Sequence, residues 1–455
     1  MSAPVIPYHN TDFVYDGHSS KRPNWPPVVS SHSSNGHEFV LTEDTPLNKR
    51  HFIYQPCCPN PLLKNLKYVN SEYPYEAAGF NTMDRSDMLA MAKNSNDIVS
   101  VPEKCGWRSA RADVCLKEGM AYWEIEVLEG GHPSGDFSDA DGERKQSQYI
   151  LNTTPHVRLG ICRRESSLET PIGCDAYGYS IRDNMMESIH DSKLTQVLPS
   201  TKLKPGQRIG LLLKLPSFEE QYKQAMEYTH REIDALNTGG GSDILKKRAK
   251  STNIEFQKTL LRNHDPKDII RDQIAIRYKN QLFFESIDYV KKTKPEYHTS
   301  QKDPKEEYTL KGSFLKVYAD GQELGNAFEE LYPFLPPFSE LNYNEKLYMN
   351  HWKNYMDSMP KAVNHRIAFL KNKFTNNGKL GYYPAISCFN GGVARIITTK
   401  PDLLYWDNVV NQFQEDKIFT LDELYKQQVA DDIVWDLIAE IEAEEIRESI
   451  IAKRS

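Results

Sequence analysis

Tyr122-Trp123-Glu124-Ile125-Glu126-Val127 is the stretch on which the fold turns. Trp123, Ile125 and Val127 alternate with Tyr122, Glu124 and Glu126. A period of two places each set on its own side of an extended strand, so the segment reads as a strand with one buried and one solvated face. The same texture surrounds it. His156 to Cys162 puts Val157, Leu159 and Ile161 inward and Arg158 and Gly160 outward. Arg208 to Leu215 aligns Ile209, Leu211, Leu213 and Leu215, and Asp97 to Val101 is a shorter candidate. Three hairpins follow from turn residues: Gln273–Tyr278 with Leu282–Glu285, Phe314–Tyr318 with Gln322–Leu324 across Asp320-Gly321, and Tyr382–Cys388 with Val393–Thr398 across Asn390-Gly391-Gly392. Many short strands joined by Gly and Asn turns predict a mostly β fold, an antiparallel β-sandwich.

The chain has 455 residues, of which 39% are hydrophobic and 11% aromatic, with 25 Tyr and 18 Phe. Modest hydrophobicity beside many rings implies an aromatic-rich core diluted by polar segments. Residues 1–45, rich in Pro, Ser, His and Asn, read as a disordered arm. Polar insertions are expected at about 218–264 and 337–379. The first reads as helix, loop, helix, broken at Gly239-Gly240-Gly241-Ser242, either a native loop or an engineered linker. A linker is expected over 401–419 and a helical region over 420–455, with Thr420 as the cap of a helix. From Ala430 to Ala452, Ile433, Val434, Leu437, Ile438 and Ile441 form one stripe. Asp431, Asp432, Asp436, Glu440, Glu442, Glu444 and Glu445 are expected on the other, solvated face. Such a terminal helix either packs on its own sandwich or docks in a partner's groove, and the polar linker favours the partner.

Apolar runs such as Ile209 to Leu213 fall far short of the ~20 residues of a spanning helix, so no membrane contact is expected. The net charge of −7 argues against coating DNA by bulk charge. The 7 cysteines include no Cys-x-x-Cys pair, so no zinc site is encoded. The start lacks a secretory signal, and free thiols suit the cytosol or nucleus. Phosphate-binding loops, His-Glu-x-x-His and nucleophile elbows are missing. No catalytic residue, metal or cofactor is therefore expected. What stands out is arginine interleaved with aromatics: Trp107-Arg108-Ser109-Ala110-Arg111, Arg158, Arg163-Arg164, Pro171, Tyr177, Tyr179 and Arg182. A guanidinium fork beside an apolar wall suits an acidic-aromatic peptide. From periodicity alone, ordinary surface arginine over core aromatics is the better account.

These stretches also carry a resemblance. Gly106 to Ala112 and Lys117 to Ile125 resemble the opening of a SPRY domain. Val157-Arg158-Leu159-Gly160, Pro171-Ile172-Gly173 and Tyr177 to Arg182 resemble its Ash-two type, and Gly381 to Ser387 resembles the late strand of that type. Asp432-Ile433-Val434-Trp435-Asp436-Leu437 is similar to the family's terminal docking helix. The resemblance is to the Ash-two/Bre-two family, the SPRY subunits of COMPASS (Set-one) histone H3 lysine-4 methyltransferase complexes, and covers about 45–400 plus the tail.

The resemblance implies a SPRY domain over 46–400 and a nuclear, non-catalytic scaffold and activator. Its partners would be a WD-repeat scaffold subunit (RbBP-five or Swd-one type), a Dpy-thirty/Sdc-one type dimer and the catalytic SET domain. Trp107, Arg158, Pro171 and Arg182 are implied as the pocket for the scaffold's acidic segment. Ile433, Val434, Leu437, Ile438 and Ile441 are implied as the dimer-binding stripe. Cys174 stands where the family has tyrosine, and Asn184 where it has a basic residue. Lys246–Lys250 and Lys291-Lys292-Thr293-Lys294 remain either phosphate contacts to a nucleosome or solvated loops. The alternative function is a SPRY substrate adaptor binding a peptide or RNA in another complex.

Overall fold

The structure, a computed structural model, describes residues 13–14, 22–23, 27–43, 52–59, 68–69, 77–131, 154–201, 203–237, 274–279, 281–287, 289–290, 308–335, 338–341, 379–413 and 416–452. In chain order the elements used below are β1 (Val28–Ser34), β2 (His37–Thr42), β3 (Phe80–Arg85), β4 (Ala90–Ala92), β5 (Ile98–Ser100), β6 (Arg108–Ala112), β7 (Gly119–Glu129), β8 (His156–Cys162), β9 (Gly178–Arg182), β10 (Ser188–His190), β11 (Lys193–Thr195), β12 (Arg208–Leu215), α1 (Phe218–Asn237), β13 (Phe314–Ala319), β14 (Gln322–Glu329), β15 (Tyr383–Phe389), β16 (Val393–Ile397), α2 (Trp406–Val410), β17 (Ile418–Thr420) and α3 (Leu421–Ala452).

Two sheets face each other. One has ten strands in the order β14-β13-β12-β7-β16-β5-β4-β2-β1, with β17 also on β7; the other has seven, in the order β11-β10-β9-β8-β15-β6-β3. All neighbours named are antiparallel except β17, which runs parallel to β7. The inward sets expected from alternation meet in one core: Trp123, Ile125, Val127, Ile209, Leu211 and Leu213 from the first sheet, and Val157, Leu159, Ile161, Ile181 and Ile386 from the second. Asp320 and Gly321 both adopt positive φ, 46° and 80°, as the expected type I′ turn requires.

Four expectations need correction. First, Tyr122 and Glu124 do not face water; both are 0% exposed. A second apolar layer covers that face, joining Tyr122, Leu212 and Tyr318 to Leu403, Trp406 and Val409. Second, that layer is built from the supposed linker. Residues 400–413 lie on the sheet because Glu124 accepts the N–H groups of Tyr405 at 2.8 Å and Leu404 at 3.2 Å. Strand β17 then pairs with β7 over Met120–Tyr122.

Third, the arm expected to be disordered is folded over 27–43. Its hairpin joins the large sheet through β2 and β4, and Phe39 is buried against Ala90, Ala92, Ile98 and Val393. Backbone pairing, the Phe39 ring and side-chain bonds such as His32 to Ser100 at 3.0 Å hold a segment whose Ser-rich composition hides its alternation. Fourth, the hairpin at Ile274–Tyr278 and Gln281–Ile287 is outside the sandwich, in a three-stranded sheet completed by Phe52–Pro56. Helix α1 forms the first half of the 218–264 insertion, and its Ala225 and Tyr228 pack on Tyr308 and Phe338. Gly239–Ser242, both basic runs and nearly all of 337–379 lie outside the described residues. Among the described residues no helix is long and apolar enough to cross a membrane.

Candidate functional site

The outer face of the seven-stranded sheet carries the arginines. Small residues at the centre of this face let a loop lie flat on it. The Ser109 hydroxyl donates to Thr170 O at 2.8 Å, Ser180 donates to Ile172 O at 2.6 Å, and Ser387 accepts the Ile172 N–H at 2.9 Å. These hydrogen bonds strap residues 170–172 across β6, β9 and β15. Beside the strap, Arg158 projects from β8 opposite Arg182 on β9 and Ser387 on β15.

The Arg158 guanidinium lies 4.7 Å above the Trp107 ring, and Trp107 stacks on Phe389 at 5.2 Å. Arg158 Nη1 donates to Ile172 O at 3.4 Å and approaches Cys174 Sγ at 3.8 Å. Its Nε is buried and has no hydrogen-bond partner among the described residues. Burial, with a smaller contribution from Arg182, pulls the Arg158 guanidinium below its ordinary value, and Cys174 opposes that. A cation so placed gains from an incoming carboxylate. Arg182 is already paired, at 3.1 Å from Glu187, and Arg108 pairs with Glu169 at 3.4 Å. Pro171 is half-buried at the start of the strap, its carbonyl accepting the Cys174 N–H at 3.3 Å.

The structure thus brings Trp107 and Arg158 into contact, sets Arg182 one strand away, and uses Pro171 to shape the strap. It adds Phe389 and Ile172, which periodicity did not single out. Phe389 ends a strand whose expected limit was Cys388, and Ile172 acts through its backbone. The other arginines of the sequence cluster are internal. Arg111 grips Asp84 with two bonds of 2.8 Å, and Arg163 pairs with buried Glu165. They hold loops to the sandwich and present no surface charge.

The second candidate surface is on α3. Thr420 and Glu423 cap it reciprocally: the Thr420 N–H donates to Glu423 Oε2 at 2.8 Å, and the Glu423 N–H donates to Thr420 Oγ1 at 3.2 Å. Ile433, Val434, Leu437, Ile438 and Ile441 are 37–58% exposed, an unusual cluster of aliphatic surface. The acidic face departs from expectation. Asp432 and Asp436 are buried, at 8% and 7% exposure, and Asp432 meets Lys379 at 3.4 Å.

Neither surface assembles a nucleophile with a base. Among the described residues no group of three or more His, Cys, Asp or Glu is arranged to hold a metal. Burial pushes the Cys162 thiol up to about 12, with Arg111 opposing, which suits a packing residue.

A scan against protein-family models finds no match. Among solved structures, the SPRY domain of human HERC1 overlaps 71% of this chain and 99% of its own, at 8% identity and a TM-score of 0.29, too low to carry weight. Sequence relatives are much nearer. The chain is 28% identical to Set1 complex component ash2 of Schizosaccharomyces pombe, over 91% of this chain and 49% of that one. It is 28% identical to COMPASS component cclA of Aspergillus fumigatus, over 89% and 60%. It is 46% identical to COMPASS component BRE2 of Saccharomyces cerevisiae, over 97% of this chain and 99% of that one. Identity at that level along both whole chains is decisive: the protein belongs to the Bre2/Ash2 family of COMPASS (Set1 complex) components.

Proposed function

We propose that the chain is a nuclear, non-catalytic scaffold subunit of a histone H3 lysine-4 methyltransferase complex, with one partner at each of its two surfaces. The Trp107–Arg158 surface takes the acidic segment of the WD-repeat scaffold subunit. The aliphatic face of α3 takes a Dpy-thirty-type dimer. Held together in this way, the subunits support the catalytic SET domain. The observation that carries the reading is Arg158, desolvated over an indole with a buried donor awaiting an acceptor. An acidic residue flanked by apolar side chains meets that need, and such central, desolvated arginines are hot spots.

Calorimetry of the full chain with the scaffold's acidic segment tests this. Arg158→Ala is expected to weaken binding by about 2 kcal/mol or more, with an unaltered unfolding midpoint because the side chain lies outside the core. Unchanged affinity overturns the assignment.

A further inference from the structure

Helix α3 has two faces with separate occupants. At 100° per residue, Leu421, Tyr425, Gln428, Val429, Asp432 and Asp436 lie on one side, and the aliphatic stripe lies on the other. Leu421 and Tyr425 belong to the core, with Val429 packed against it. Gln428 makes a two-way bond with one backbone unit. Its Oε1 accepts the Cys115 N–H at 3.1 Å, and its Nε2 donates to Cys115 O at 2.9 Å. The amide side chain thereby imitates a neighbouring strand. The two faces overlap along the helix: Asp432 and Asp436 are buried in the same turns that present Ile433, Val434 and Leu437 outward.

We propose that helix and sandwich form one composite docking surface, with Gln428 as the positioning residue. Its latch on Cys115 fixes where α3 leaves the body, so the stripe is offered already ordered. The occupant, on the proposed reading a dimer, then needs an open apolar groove that covers one side of a helix. A partner that sheathes the helix all round does not fit, because the opposite face is already buried at Asp432 and Asp436. This rests on the reading that the stripe docks such a dimer. Preordering matters because fixing one further backbone residue on binding costs about 1–2 kcal/mol, a 5- to 30-fold loss of affinity.

The test uses the full chain, hydrogen exchange followed by mass spectrometry, and titration with the Dpy-thirty-type dimer. Gln428→Met keeps bulk and loses both hydrogen bonds; Gln428→Ala is its companion. Exchange over 429–441 is expected to rise while β7, β8 and β12 keep their protection. Affinity for the dimer is expected to fall roughly 5- to 30-fold, although Gln428 faces away from it. Unchanged exchange and affinity, or a loss of protection spread evenly through the sandwich, overturns the latch. Leu437→Asp with Ile441→Asp is the control: if it leaves dimer binding intact, the docking reading itself fails, whatever Gln428 does. If it abolishes binding and Gln428→Met changes nothing, the latch alone fails.

Discussion

Replacing Glu124 by alanine should release the segment that bridges sandwich and helix. The carboxylate is 0% exposed. Oε1 accepts the Tyr122 hydroxyl at 3.1 Å and the Tyr405 N–H at 2.8 Å; Oε2 accepts the Leu404 N–H at 3.2 Å and pairs with Arg208 at 3.3 Å. Of these donors the Tyr122 hydroxyl, in a residue 0% exposed, has no route to water while Trp406 and Val409 stay seated. Hydrogen bonds to a charged group contribute about 1.5–3 kcal/mol each, but not additively. Arg208, with a side chain 19% exposed, can turn toward solvent and recover part of its loss. Removing one member of a buried ionic network costs about 3–5 kcal/mol. Against a total stability of about 5–15 kcal/mol, that is enough to undock residues 400–413 well before global unfolding. Urea titration followed by far-ultraviolet circular dichroism and by Trp406 fluorescence should separate into two transitions. Limited proteolysis should open cleavage at Tyr405 and Lys417. Glu124→Gln, which keeps one acceptor oxygen, should lie between wild type and alanine. A single transition at the wild-type midpoint, with no new cleavage, refutes the reasoning.

Trp107→Ala should weaken binding of the scaffold's acidic segment by about 1 kcal/mol, and a double-mutant cycle with Arg158→Ala should show coupling of roughly 0.5–2 kcal/mol from the shared stacking; additive losses count against it. Leu437→Asp with Ile441→Asp should abolish capture of the Dpy-thirty-type dimer, since each aliphatic contact is worth about 1.5–3 kcal/mol gross, and should leave scaffold binding intact; co-purification of all three subunits contradicts this. Asp84 should contribute to acid stability. Burial pushes its carboxyl up, but Arg111 and Arg164 outweigh burial and hold it down at about 2, from 3.8. Because the folded value is depressed, its contribution of about 2 kcal/mol is complete above pH 4 and fades as pH falls toward 2. The stability gap between wild type and Asp84→Asn should therefore narrow by that amount on acidification; a gap constant with pH argues against the ion pair.

Periodicity located β8 and β12 to the residue, because both of their faces are sampled by alternating chemistry. It misread β7 for an instructive reason. Tyr122 and Glu124 look solvent-facing beside Trp123 and Ile125, yet an acidic side chain with several backbone donors can be fully buried. Nothing local at Glu124 announces that Leu404 and Tyr405 will supply them. The same long-range bonds made 401–419 look like a tether. On α3, the 3.6-residue period found the aliphatic stripe but assigned Asp432 and Asp436 to solvent; Lys379, which meets Asp432, is distant in sequence. At the arginine surface, Trp107 and Arg158 were legible from residue type and resemblance. Phe389 was missed because it sits at a strand end, where a turn obscures alternation. Ile172 contributes a carbonyl, which no side-chain pattern reports.

Gln428 lies 313 residues after Cys115, the backbone unit it latches. During synthesis, therefore, most of the sandwich leaves the ribosome before its final strand and helix exist. Contacts of such sequence separation form late, since loop closure must precede them. The helix acquires its seat only on a body that is already assembled. On the proposed reading, a partner selecting the seated helix would sample whether the whole domain has matured, and chains misassembled upstream would present no ledge for it to grip.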